Sequence, residues 1–123
     1  MQPVPFIKQR MTSFKNAFNG ILIVLKKEVN FKIQLCIALL TVLLGFYVGL
    51  SPQEWLWITA CSGSVLAFEA FNTAIERMVD LAEPNHNRLA GLIKDICAGA
   101  VLIASVTAMI IGLVIFIPKF FEI

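Results

Sequence analysis

Residues 96–118, ICAGAVLIASVTAMIIGLVIFIP, contain no charged side chain. A helix of about 20 apolar residues crosses the hydrocarbon of a bilayer, so this run confines the chain to membrane-spanning or deeply buried helices. A second run, FKIQLCIALLTVLLGFYVGL over 31–50, is charged only at Lys32. A third begins near Glu54 and continues through WLWITACSGSVLAFEAFNTAI to about residue 80. It can span only if its acidic residues face protein, because a carboxylate at the bilayer centre costs roughly 2.5–3.5 kcal/mol on insertion scales. The chain has 123 residues and is 59% hydrophobic, with a mean hydropathy of +0.84. So short a chain cannot enclose that much apolar surface, and lipid or partner subunits must cover the remainder.

The expected fold is an all-α membrane protein with a single domain over 1–123. It comprises a surface helix at 6–27 and transmembrane helices at 31–50, 54–80 and 93–118. In the N-terminal stretch Ile7, Met11, Phe14, Phe18, Ile21 and Leu25 recur at steps of three and four, while Lys8, Ser13, Lys15 and Asn19 take other faces. That is the pattern of an amphipathic helix lying on a membrane surface. No apolar stretch precedes a cleavage site, so this segment is not read as a signal peptide. Ser51-Pro52 supplies an N-cap and first turn for the helix that follows, and Trp55 and Trp57 suit an interfacial belt. Ala100, Ala104, Ala108 and Gly112 recur every four residues, which lets helix backbones approach closely in lipid.

Charge sets the expected orientation. Lys8, Arg10, Lys15, Lys26, Lys27 and Lys32 crowd the first quarter, and Arg77, Arg88 and Lys94 occupy the connection between the last two spans. The SPQE turn has no basic residue. The N-terminus and the 77–95 segment are therefore expected in the cytoplasm and the C-terminus outside. A basic stripe interleaved with aromatics is lacking, which argues against nucleic acid. Cys36, Cys61 and Cys97 show no CxxC spacing and read as small buried hydrophobes.

Within EAFNTAIERMVD, residues 69–80, Asn72, Glu76 and Asp80 lie at about −60°, −20° and +20° from Glu69 on a helix. They form one polar stripe on an otherwise apolar surface. By depth, Glu28, Glu76, Asp80, Lys94 and Asp95 fall at the cytoplasmic water line, and Glu69 lies about 10 Å deeper. Carboxylates at the water line can hold Mg²⁺ that arrives with phosphates, and a lysine there can meet phosphate. A carboxylate withdrawn from water makes a better base. These groups fit phosphoryl transfer from a soluble nucleotide to a membrane lipid. Neither GxxxxGK[ST] nor a GxGxxG after a strand occurs, which excludes the commonest ATP sites but not ATP. Two rival readings stand beside the kinase: an ion-coupled transporter carrying protons on Glu69, and a structural cluster of helix-end charges.

The joint pattern of Glu69-x-x-Asn72-x-x-x-Glu76 in NTAIE, then VD, then Lys94-Asp95 before AGAVLI resembles the small prokaryotic diacylglycerol kinases, as does Glu28 before NFK. The resemblance spans about residues 13–118. It implies a homotrimer in the bacterial inner membrane that phosphorylates diacylglycerol to phosphatidic acid in phospholipid metabolism, with ATP as co-substrate and Mg²⁺ as cofactor. It further implies Glu69 as general base, Asn72 as its support, and Glu28 and Glu76 as Mg²⁺ ligands. Lys94 would contact the polyphosphate, and Asp95 with Asn85, His86 and Asn87 would hold the nucleotide. Arg10 could meet a phosphate or headgroup. FNTAIERMVDL and IFIPKF resemble the undecaprenol-kinase branch, so undecaprenol stands as the alternative acceptor.

Overall fold

Among the described residues there are four helices, and three of them are long and apolar enough to cross a membrane. The computed structural model describes residues 2–122. In order they are α1 (Phe6–Lys27), α2 (Val29–Val48), α3 (Pro52–Ala82) and α4 (Arg88–Glu122). The three candidate spans are α2, α3 and α4. Among the described residues there is no strand.

Helix ends differ from the sequence expectation for identifiable local reasons. α2 was expected over 31–50 but stops at Val48, because Gly49 takes a left-handed conformation with φ 76° and its N–H bonds back to the Gly45 carbonyl. Glycine adopts that conformation without a Cβ penalty, which makes it a common helix stop. α3 begins at Pro52 rather than 54. Ser51 forms a capping box with Glu54: its hydroxyl accepts from the Glu54 N–H at 3.2 Å, and its own N–H donates to Glu54 Oε1 at 3.1 Å. α4 begins at Arg88 rather than 93, since Asn87 Oδ1 accepts from the N–H groups of Leu89 and Ala90 and so caps the helix. It also runs beyond 118 to Glu122. Pro118 leaves the Val114 carbonyl without its helical donor, but Lys119 Nζ meets Glu54 Oε1 at 3.1 Å and ties this last turn to the start of α3.

α3 packs mainly along α4, with α2 laid against α3. Leu50, Ile58 and Phe116 form a small core at the end of the bundle that holds the SPQE turn, flanked by Leu44, Val48, Trp55 and Ile115. Trp55 turns inward there: its ring lies 4.8 Å from that of Phe46, and Gly45 lets it pass close to the α2 backbone. Most other large apolar side chains are exposed, as expected of helices solvated by lipid or by further protein. α1 has no buried residue and touches α2 and α3.

Only one residue separates α1 from α2. Glu28 is extended (φ −108°, ψ 115°), donates its N–H to Val24 O at 2.9 Å and accepts from the Lys32 N–H at 3.3 Å. It is at once the end of one helix and the start of the next. Phe31, buried to 6% exposure, anchors α2 immediately after the break.

Candidate active site

The acidic stripe of α3 is buried in the bundle at Glu69 and exposed at Asp80. Glu69 is 6% exposed and Thr73 is 7% exposed, the two most enclosed polar residues described. Thr73 returns its hydroxyl to the Glu69 carbonyl at 3.1 Å, so it satisfies itself locally. Further along, Asn72 and Glu76 are half-buried and Asp80 is exposed. Helical periodicity keeps these residues on one face, and their exposure rises along it away from the packed part of α3.

Glu28 joins the stripe from the α1–α2 break. Glu76 and Glu28 both lie near enough to Glu69 to act on its carboxyl electrostatically. Three carboxylates thus gather from two places 41 residues apart in sequence (28 and 69). Cations or a ligand offset such repulsion. Arg77 supplies one cation: its Nη2 donates to Glu28 Oε1 at 3.1 Å. Lys94 supplies another and pairs with Asp80.

Asn72, which the family resemblance implies as a support for Glu69, bonds to Glu76 here. Its Nδ2 donates to Glu76 Oε1 at 3.3 Å, and its Oδ1 is buried without a partner. Both carboxylates are one turn away, at i−3 and i+4, and the amide faces the later one. A buried acceptor left over in this way is costly in isolation and marks a place where a donor can bind.

The α3–α4 connection forms two adjoining clefts. One, of about 200 Å³, is lined by Asp80, Glu83, Asn85, His86, Asn87 and Lys94. The other is lined by His86, Asn87, Arg88 and Asp95. Lys94 and Asp95, adjacent in sequence, therefore serve different clefts, bridged by His86 and Asn87. The Asn87 carbonyl is already committed to capping α4, which leaves its amide N–H groups free. Arg10 lies on exposed α1, its guanidinium 4.9 Å from the centroid of the Phe6 ring.

Among the described residues, no three His, Cys, Asp or Glu side chains are arranged to hold a metal ion by themselves. Mg²⁺ seldom requires that. It keeps water and phosphate ligands and takes one or two carboxylates, a demand that Glu28 and Glu76 fit, with the free Asn72 oxygen as a neighbouring acceptor for a metal-bound water. Sequence reasoning missed Arg77, Asp80 as the partner of Lys94, and the cap at Asn87. Only the last had a local signal, an Asn one residue before a long periodic helix.

Comparison with known proteins identifies the family. The family profile described as "Prokaryotic diacylglycerol kinase" matches residues 15–116. An undecaprenol kinase of Bacillus subtilis is 42% identical over 107 residues, covering 87% of this chain and 87% of that protein. A diacylglycerol kinase of Synechocystis is 32% identical over 111 residues, covering 88% of this chain and 62% of that protein. With its three apolar spans and an acidic stripe meeting Glu28 and Lys94, this chain belongs to the prokaryotic diacylglycerol kinase family of membrane lipid-alcohol kinases.

Proposed function

We propose that the protein transfers the γ-phosphoryl group of ATP to the hydroxyl of a lipid alcohol held at the cytoplasmic face of the bacterial inner membrane. The observation that carries this reading is that Arg77, next to Glu76 on the helix that bears the enclosed Glu69, bonds Glu28 from the α1–α2 break, beside a lysine-bearing cleft. Glu69 accepts the acceptor's hydroxyl proton as the new O–P bond forms and the bond to ADP breaks. Glu28 and Glu76 would hold Mg²⁺, which neutralises charge on the phosphates. Lys94 meets the polyphosphate, and Asn85, His86, Asn87 and Asp95 hold the rest of the nucleotide. α1 lies on the inner surface, with its exposed Phe14, Phe18 and Ile21 toward lipid.

The acceptor we favour is undecaprenol, because the relative that carries that name is the more similar and matches almost end to end. Diacylglycerol, the first expectation from the family resemblance, is the second reading and is supported by the Synechocystis relative. In the homotrimer that the family resemblance implies, a neighbouring helix would approach the groove where Ala60, Ser64, Ala104 and Ala108 lie between the larger Trp57 and Ile111. The test is labelled ATP supplied to purified protein in detergent, with undecaprenol and diacylglycerol offered side by side. Label in lipid phosphate without any ion gradient is expected. No transfer to either lipid would sink the kinase reading in favour of a carrier.

A further inference from the structure

Arg77 has no role in the chemistry described so far. It stands at about 80° around α3 from Glu69, on the flank of the acidic stripe. From there its Nη2 reaches back 49 residues to Glu28 Oε1, at 3.1 Å. The two side chains differ in access: Arg77 is 56% exposed and Glu28 29%. The guanidinium therefore sits at the mouth, over a carboxylate that is partly enclosed.

A divalent cation that approaches Glu28 meets the positive charge already bonded to it. Two cations on one carboxylate repel, so metal and guanidinium compete for the same oxygen. Exposed ion pairs of this kind are weak, so the guanidinium is easily displaced. What arrives with the metal is a polyphosphate, and the planar fork of an arginine matches phosphate oxygens well. The polyphosphate also needs cations, since it enters beside Glu28, Glu69, Glu76 and Asp80 while Lys94 is paired with Asp80.

We infer that Arg77 exchanges partners during the reaction cycle: it neutralises Glu28 before the nucleotide binds, and passes to the polyphosphate when the metal–nucleotide complex takes Glu28. The inference rests on the reading of Glu28 as a metal ligand.

Mn²⁺, detected by electron paramagnetic resonance, serves as the probe, alone and with a non-hydrolysable ATP analogue, on the full-length protein in detergent. Arg77→Ala is expected to bind free Mn²⁺ roughly two- to five-fold more tightly, the range set by a weak exposed pair. The same variant is expected to bind the Mn²⁺–analogue complex several-fold more weakly. Opposite signs distinguish exchange from scaffolding. If both affinities fall together, Arg77 merely holds Glu28 in place, and if neither changes it does nothing here; either result overturns the inference. Glu28→Gln separates the two levels. Abolished Mn²⁺ binding in Glu28→Gln together with an inert Arg77→Ala defeats the exchange alone. Unchanged Mn²⁺ binding in Glu28→Gln defeats the ligand assignment and the exchange with it. Should Arg77→Ala not fold, Arg77→Gln removes the charge while keeping a polar stem and is judged by the same signs.

Discussion

Asn72 donates its amide to Glu76 one helical turn away and keeps its own carbonyl oxygen buried and unpaired. The pair is asymmetric. The donor orients a carboxylate, while the acceptor waits for a partner that α3 does not provide. Hydrogen bonds to charged groups contribute about 1.5–3 kcal/mol. Asn72→Ala should therefore free Glu76 and raise the Mg²⁺ concentration for half-maximal activity by roughly ten-fold or more. A metal titration of lipid phosphorylation checks this, and an unshifted midpoint would show that the amide does not orient Glu76 for the metal.

Glu69 tests the chemistry more directly. It is enclosed, and Glu28 and Glu76 are the two carboxylates assigned to the metal. Glu69→Gln keeps the size and polarity but removes the base. The expected result is a loss of turnover of roughly a hundred- to ten-thousand-fold, with binding of an ATP analogue unchanged. Labelled-phosphate transfer and analogue binding are measured on the same preparation. Turnover near that of the parent would remove Glu69 from the proton-accepting role.

Gly45 tests the packing at the far end. A Cβ there would lie 2.6 Å from Cη2 of Trp55 and 2.9 Å from Cδ1 of Leu50. Leu50 belongs to the small core there and Trp55 packs against it. Overpacking of this kind typically costs about 1–3 kcal/mol. Gly45→Ala should lower the unfolding temperature in detergent while leaving nucleotide binding intact, since the α3–α4 clefts lie at the opposite end of the bundle. A thermal scan with and without the ATP analogue measures both.

The parts of this molecule that follow from local rules were legible in its sequence, and those that depend on tertiary contact were not. The spans were legible because lipid leaves the backbone no alternative to a helix and the apolar runs are long enough to cross. The Ser51 cap was legible because Ser-Pro followed by Glu54 is a local code. The polar stripe was legible because Glu69, Asn72, Glu76 and Asp80 share a period. The break at Glu28 had no such code: neither Gly nor Pro marks it, and a single extended residue is followed by the buried Phe31. Asn72 had two carboxylates in reach, and periodicity does not choose between i−3 and i+4. The partner of Arg77 lies 49 residues away, beyond any local pattern, so the residue read only as one more cytoplasmic charge.

Lys94 offers the sharpest separation of binding from stability. It pairs with Asp80, whose side chain is 61% exposed. An ion pair so open to water contributes about 0–1 kcal/mol to stability, so Lys94→Ala should unfold within a few degrees of the parent. The same lysine lines the cleft with Asn85 and His86, where a polyphosphate would meet it as a compact charge. Losing a charged contact to phosphate should weaken binding of the ATP analogue roughly ten- to hundred-fold. That deficit should shrink as salt is raised, because an exposed Coulombic contact is screened over about 8–10 Å at physiological ionic strength. Calorimetric titration at low and high salt, beside a thermal scan, checks all three expectations. Unchanged affinity with a large drop in unfolding temperature would reverse the assignment and make Lys94 a strut for the α3–α4 turn.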